Sequence, residues 1–202
     1  SETAEKYDFI MPSMADAHCH LFLEGDELDA EKRKGHLDGG FDLFLATGRA
    51  NLHKYHQAGV RVIRDAGDIH GVNTSLKDTA REMGMSIISA GKAIRKSKRY
   101  GSFMAIEVDG NGNIAEAVAN VVASSDCLKI ILSGIIDFAK GQMKGAPQFD
   151  QYELNLMVRL AKDHGLRTFV HCSGLDGLEL AVRANVDSIE HGFFMNREIL
   201  EQ

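Results

Sequence analysis

The sequence predicts an α/β fold made of parallel βαβ units in one domain, residues 1–202. Three observations point there. One phrase recurs: an amphipathic segment, a glycine or asparagine, then a short β-branched run. It reads "NLHKYHQAG-VRVIRDAG", "LKDTAREMG-MSIISAG", "MVRLAKDHG-LRTFVHCSG" and "LELAVRAN-VDSIEHG". With 202 residues the chain can bury one substantial core and is short for two. No Pro/Ser-rich linker divides it, and 44% hydrophobic with 26% charged residues is an ordinary globular composition.

The elements follow in order. A first strand is expected near 14–20, where "ADAHCHL" sets two histidines one residue apart. Strand side chains alternate between faces, so His18 and His20 share one face and Cys19 takes the other. Strands near 60–65, 85–90, 166–171 and 186–191 each begin just after a helix closed by Gly59, Gly84, Gly165 or Asn185, residues that tolerate left-handed φ. A further strand is expected near 127–132. Asp150 and Glu153 have capping-box spacing for the helix that leads to Gly165. Residues 21–42 and 91–112 interrupt the tight spacing and read as excursions that carry local structure or a site. An open doubly wound sheet stays possible, although no G-x-G-x-x-G follows the first strand, which weakens a nucleotide-binding version.

Composition excludes several classes. A formal net charge of −6 argues against a nucleic-acid surface, and the basic run Lys92 to Arg99 reads as a solvated loop. No apolar run approaches a membrane span, and the opening residues "SETAEKYDFI" hold no apolar signal core. Three cysteines (Cys19, Cys127, Cys172) with no C-x-x-C argue for a reducing compartment, so a cytoplasmic protein is expected.

Chemistry collects at the strand ends. His18 and His20 end the first strand, His171 the fifth and His191 the sixth, while Lys129 sits inside the fourth. In a parallel α/β barrel those carboxyl ends form the mouth, so these groups would converge. The neighbours of Lys129 (Leu128, Ile130, Ile131, Leu132) indicate a strand buried on both faces. An unpaired ammonium there costs several kcal/mol, so the lysine should lose its proton, find a partner or be modified. A neutral amine can add carbon dioxide, and the resulting carbamate can bridge two divalent cations. Cys19 and Cys172 each follow a histidine and are expected to point toward the helices.

"MPSMADAHCHL" resembles the first barrel strand of the amidohydrolase superfamily. "AGVRVIRDAGD" resembles the second, "LKIILSG" the fourth with its carboxylated lysine, and "VHCSGLDGLELAVRANVDSIEHG" the fifth and sixth of the branch with Xaa-Pro dipeptidase-like and imidazolonepropionase-like enzymes. The ordered series H-x-H, K, H, E-H-G carries the resemblance over about residues 10–200. It implies a (β/α)8 TIM-barrel fold, incomplete, with about six β/α units in this chain. It also implies that His18 and His20 bind one metal ion, His171 and His191 a second, and that carboxylated Lys129, the catalytic lysine, bridges them. Two divalent cations are expected, zinc by default because imidazole and carboxylate-type oxygen suit it. A hydroxide between the metals would attack an amide-type C–N bond of a small-molecule substrate such as a dipeptide, N-acyl amino acid or cyclic amide. The same site type supports lactone or phosphotriester hydrolysis. Glu190 and Asp16 rank only as candidates that orient neighbouring histidines, since strand parity is expected to turn them away from the metals. Arg64, Arg99 and Tyr100 are candidates for a substrate carboxylate.

The family's eighth strand ends in an aspartate, and residues 192–202 contain none. Strands seven and eight are therefore expected to be missing, either because the chain is a fragment of a longer protein or because it is a short form, a homo-oligomer or one with a companion chain or rearranged segment, whose open sheet edges are covered from elsewhere. An inactive metal-binding barrel fragment is the competing expectation.

Overall fold

The computed structural model describes residues 11–202; the opening segment read above as lacking a signal core lies outside them. The chain runs through β1 (Met14–Cys19), α1 (Ala30–Leu37), α2 (Phe41–Gln57), β2 (Val60–Asp65), α3 (Val72–Ser75), α4 (Lys77–Glu82), β3 (Ser86–Ser89), β4 (Ala93–Lys96) and β5 (Ala105–Val108). It continues through α5 (Gly110–Val122), β6 (Cys127–Ile131), β7 (Ile136–Asp137), β8 (Gln142–Met143), α6 (Gln151–Asp163), β9 (Arg167–Cys172), α7 (Leu175–Arg183), β10 (Ser188–His191) and α8 (Arg197–Leu200).

Two parallel sheets, ordered β1-β2-β3 and β10-β9-β6-β4-β5, share one seam. Asp126 N donates to Ser89 O at 2.8 Å, and Ser89 N donates to the Asp126 carboxylate at 2.7 Å. Residues 86–96 therefore act as one bent strand position. Its first half pairs with β2 and its second half meets β6 at Ile94↔Ile130. The positions run β1, β2, β3/β4, β6, β9, β10, all parallel, which makes six positions of an incomplete (β/α)8 barrel.

The sequence expectation put one strand near 85–90 and an excursion from 91. The structure instead continues that strand position past a kink at Gly91 (φ 59) and adds β5 beside it. All four expected helix stops have left-handed φ, Asn185 included at 54°. The capping box of α6 is complete: Asp150 accepts from Glu153 N and Glu153 accepts from Asp150 N.

Alternation sorts β6 cleanly. Leu128 and Ile130 face the helices in a core with Ile114, Val118, Leu154 and Met157, leaving Cys127, Lys129 and Ile131 on the concave side. A second core joins β2 to α2 and the short helices through Ile63, Phe44, Leu52 and Leu76. Among the described residues no helix is long and apolar enough to cross a membrane.

A buried polar knot holds the carboxyl end of β2 open toward the mouth. Asp65 accepts from Leu21 N, Gly67 N and Asn73 Nδ2, and Asn73 also donates to Gly91 O. Burial pushes the Asp65 carboxyl up to about 6 despite those three donors. Replacing Asn73 with Ala removes one donor from the carboxylate and one from the kink. The expected loss is about 1–3 kcal/mol of stability, read from the urea midpoint at pH 7.

Candidate metal centre

The sequence-predicted residues meet on the concave side. His18 and His20 lie 5.7 Å apart between ring centroids, His18 and His191 4.9 Å, and His171 and His191 4.5 Å. Lys129 comes up beneath them with its Nζ 4.2 Å from the centroid of Phe169, which also lies 6.1 Å from His18. Pairing places Lys129 opposite Phe169 and Ile131 opposite His171, which sets lysine and histidine at adjacent levels of one surface.

Local backbone aims each ring. Between Asp16 and Cys19 the β1–β2 register slips, so β1 carries a bulge where simple alternation was expected. Such an extra residue re-aims the side chain beside it, here His18. His191 has φ 72, an uncommon conformation for a side-chain-bearing residue, and it swings the end of β10 over the mouth.

Hydrogen bonds then fix tautomers. His20 Nδ1 lies 2.9 Å from Gly67 O; a carbonyl only accepts, so Nδ1 carries the proton and Nε2 is left as donor atom to a metal. Gly67 has φ 105, where any Cβ would also press on Gly91 O at 3.2 Å, so glycine is required to present that carbonyl. His18 Nδ1 lies 2.5 Å from Glu190 Oε2, which orients its ring in the same way. His171 Nε2 faces Gly134 O at a long 3.4 Å.

Glu190 does orient a neighbouring histidine, the role suggested for it, but it lies on the face opposite to the one strand parity predicted. Its register partner is His171, so Glu190 and Ser188 share the interior face, and the glutamate accepts from His18, Ser188 and Arg64 (2.6 Å). Burial alone would raise its carboxyl, but His18, Ser188, Arg64 and Lys129 hold it down to about 2. The missed signal was the spacing Ser188-x-Glu190, two polar side chains on one face of a core strand. Asp16 does face away: it accepts from His18 N within β1 and from Tyr55 OH on α2. Of the carboxylate candidates, Arg64 is committed to Glu190 and to Ala17 O, Arg99 donates to Ala146 O, and Tyr100 stacks its ring 5.3 Å from His171. Cys172 packs among the helix-side core, and all three cysteines are free.

Electrostatics favour neutral ligands. Burial pushes His20 down to about 4 and His171 to about 3, and lowers His191. Imidazoles that stay unprotonated at neutral pH are the form that binds metal. Lys129 is fully buried, its Nζ has no hydrogen-bond partner, and burial lowers it to about 7. An amine stripped of partners and half-neutral at pH 7 fits a lysine awaiting modification, so the residues suit a bridged metal pair. Among the described residues no three His, Cys, Asp or Glu side chains form a ready single-ion site.

A model of the amidohydrolase family matches residues 9–199. An uncharacterized protein of Mycobacterium tuberculosis is 27% identical over 187 residues, 91% of this chain and 45% of that protein. A solved Xaa-Pro dipeptidase with methionine in its active site aligns with a TM-score of 0.73 at 25% identity, over 94% of this chain and 50% of its own. The A. niger ochratoxinase aligns at 0.76 with 18% identity, over 95% and 49%. The chain spans about half the length of the relatives it matches.

The Lys129 geometry makes a stability prediction with a definite sign. Folded, the amine titrates near 7; unfolded, it returns to 10.5. The unfolded chain therefore binds the extra proton between those values, and stability rises with pH across that window. Below pH 7 the full cost of burying the ammonium remains. In metal-free, carbon dioxide-free buffer, Lys129→Met should be more stable than the parent by about 1–4 kcal/mol at pH 6. The gap should close toward pH 10 in urea titrations.

Proposed function

The chain belongs to the amidohydrolase family, and from that premise we propose that it is the metal-binding part of a metal-dependent hydrolase acting on amide-type C–N bonds. One observation carries the proposal: a fully buried lysine amine without a hydrogen-bond partner lies beneath four clustered imidazoles. His18 and His20 would hold one divalent cation, His171 and His191 the other, and carboxylated Lys129 would bridge them, with zinc the default ion. Bound there, the cations supply an activated water and polarise the scissile carbonyl.

The chain's own groups prepare that site. The neutral Lys129 amine forms an N–C bond to carbon dioxide and releases one proton, which leaves an anionic carbamate. Glu190 fixes the His18 ring and the Gly67 carbonyl fixes His20, so neither imidazole must reorganise. Tyr100 stands beside His171, their ring centroids 5.3 Å apart. Its hydroxyl is raised by burial and stays protonated, a donor at the mouth. The structural relatives whose names state amide chemistry, including the Xaa-Pro dipeptidase, support this bond type over lactone or phosphotriester hydrolysis.

The reading extends to assembly. Among the described residues β1 pairs only with β2, and β10 only with β9, so each leaves one edge open. A second copy, a companion chain or another segment of the same protein would cover those edges. Hydrogen exchange should show slow amides along β1 and β10 if they are covered, and fast ones otherwise.

The direct test measures metal content together with hydrolysis of a panel of dipeptides, N-acyl amino acids, a lactone and a phosphotriester. Two ions per chain with turnover on the amides supports the reading; metal without turnover favours an inactive metal-binding form. Lys129→Ala should lose the paired ions, and retention of both at full occupancy would overturn the bridging role. Because carbamate formation needs the neutral amine, metal loading at fixed dissolved carbon dioxide should rise as pH passes through about 7 and then level. The metal-to-protein ratio across pH 6–9 checks it.

A further inference from the structure

The bulge in β1 has a single residue opposite it. Register pairs Asp16 with Ile63 and Cys19 with Asp65, so Ala17 and His18 together face Arg64 alone. The Arg64 side chain spans that irregularity. Its Nε donates to Ala17 O at 2.7 Å, the carbonyl immediately before His18. Its Nη2 donates to Glu190 Oε1 at 2.6 Å, and the other oxygen of that carboxylate lies 2.5 Å from His18 Nδ1. One planar group thus holds both the peptide carbonyl that precedes the histidine and the carboxylate that holds its ring.

The guanidinium is itself fixed. Its carbon lies 4.5 Å from the centre of the Phe169 ring, the wall that also carries Lys129 Nζ at 4.2 Å and meets His18 at 6.1 Å. Ser188 Oγ lies 3.4 Å from Nη2 and donates to Glu190 at 2.5 Å, so a further donor keeps the carboxylate in place. The Arg64 side chain is 24% exposed and that of Glu190 8%, a pair withdrawn from water and unlike the screened pairs of a protein surface. Holding β2 to β10 by charge needs only an ammonium. Holding two acceptors at a set angle needs the rigid donor fork of a guanidinium, which a lysine on its flexible stem cannot reproduce.

We propose that Arg64 is a positioning residue for the His18 ion site: by spanning the Ala17 carbonyl and the Glu190 carboxylate it sets where the His18 ring stands and which nitrogen the ring offers. The inference rests on the metal-dependent hydrolase reading and deepens it, since it names a residue that prepares one of the two ion sites without touching the ion. Arg64 acts through two partners at once, the backbone of β1 and the side chain of Glu190. A purely structural ion pair would join β2 to β10 and leave the ring as it was.

The test reads the histidine before it reads the metal. In the metal-free chain at pH 8, nitrogen-15 spectra of labelled imidazoles should show His18 as one tautomer with its proton on Nδ1. Arg64→Lys and Arg64→Gln should each turn that signal into a mixture of tautomers. Zinc alone, titrated against a chromophoric chelator, should then bind about 10–100-fold more weakly at one of the two sites. Arg64→Lys keeps the charge, so its failure to restore either readout separates positioning from charge. Adding Glu190→Gln to Arg64→Lys should weaken zinc no further than the worse single variant, because both act on one ring. A single Nδ1–H tautomer retained in a folded variant, or full zinc affinity in both variants, overturns the inference, whatever the urea midpoint does. Should neither variant fold, the parent decides: hindered rotation of the Arg64 guanidinium supports the inference and free rotation overturns it. A parent that binds no zinc sinks the hydrolase reading, while the tautomer comparison still decides the role of Arg64. A parent that binds two ions and cleaves amides, with His18 unmoved in Arg64→Lys, sinks only this inference.

Discussion

The Glu190 carboxylate is where the arc of strands is tied together. It belongs to β10, the last strand position, yet it accepts from His18 on β1 and Arg64 on β2, reaching across the concave side. The backbone ladder does not make that link, because β1 and β10 do not pair with each other among the described residues. A carboxylate can accept along about four lone-pair directions, and three side chains occupy them here. Its negative charge also lies near Lys129 and offsets part of the cost of that buried amine and of the half-buried Arg64. The same Phe169 ring receives Arg64 at 4.5 Å and Lys129 at 4.2 Å, so cation–π contact supplies some of the rest. Curvature, histidine orientation and lysine electrostatics thus converge on one side chain.

Much of this was legible in the sequence for physical reasons. Helix stops are written locally, since only a few residues accept left-handed φ, and Gly59, Gly84, Gly165 and Asn185 all adopt it. The burial of Lys129 was legible because both of its flanks are branched or long apolar residues, and every residue of β6 is buried. What was not legible depends on pairing. The split of the third strand position at Gly91 depends on Asp126 meeting Ser89 across 37 positions of sequence. The interior placement of Glu190 depends on its register with His171, and the His191 ring reaches the mouth through a positive φ instead of strand parity. Parity argued from a single strand assumes ideal geometry to the last residue, and a site is where that assumption fails.

Scaffold and selectivity occupy different parts of the chain. The groups that would hold metal sit at strand ends, braced by register, by the Asp65 knot and by backbone carbonyls such as Gly67 O. The groups that line a cleft beside the imidazoles sit on α1, on the segment after β1 and on the loop after β4, which β4 holds through Ala93 N to Met104 O and Arg95 to Arg99 O. Such a division lets specificity change by loop substitution while the metal-binding geometry stays put.

Two features of the centre lower stability, and they make sense only together. A left-handed φ at His191 costs of order 1–3 kcal/mol, and a buried lysine pushed toward neutrality costs more. A fold selected for stability alone would place a glycine at 191 and a methionine at 129, each of which fits the local geometry. Histidine at the strained position brings a ring within 4.5 Å of His171 and 4.9 Å of His18, and lysine brings an amine beneath all of them. Neither residue gains a strong partner within the chain that repays its cost: Lys129 Nζ has no hydrogen bond at all. Under the proposed function the compensation would come from a ligand that both share. A carbamate on Lys129 with cations held by the imidazoles would be such a ligand, and it would give the Lys129 nitrogen the partner it lacks.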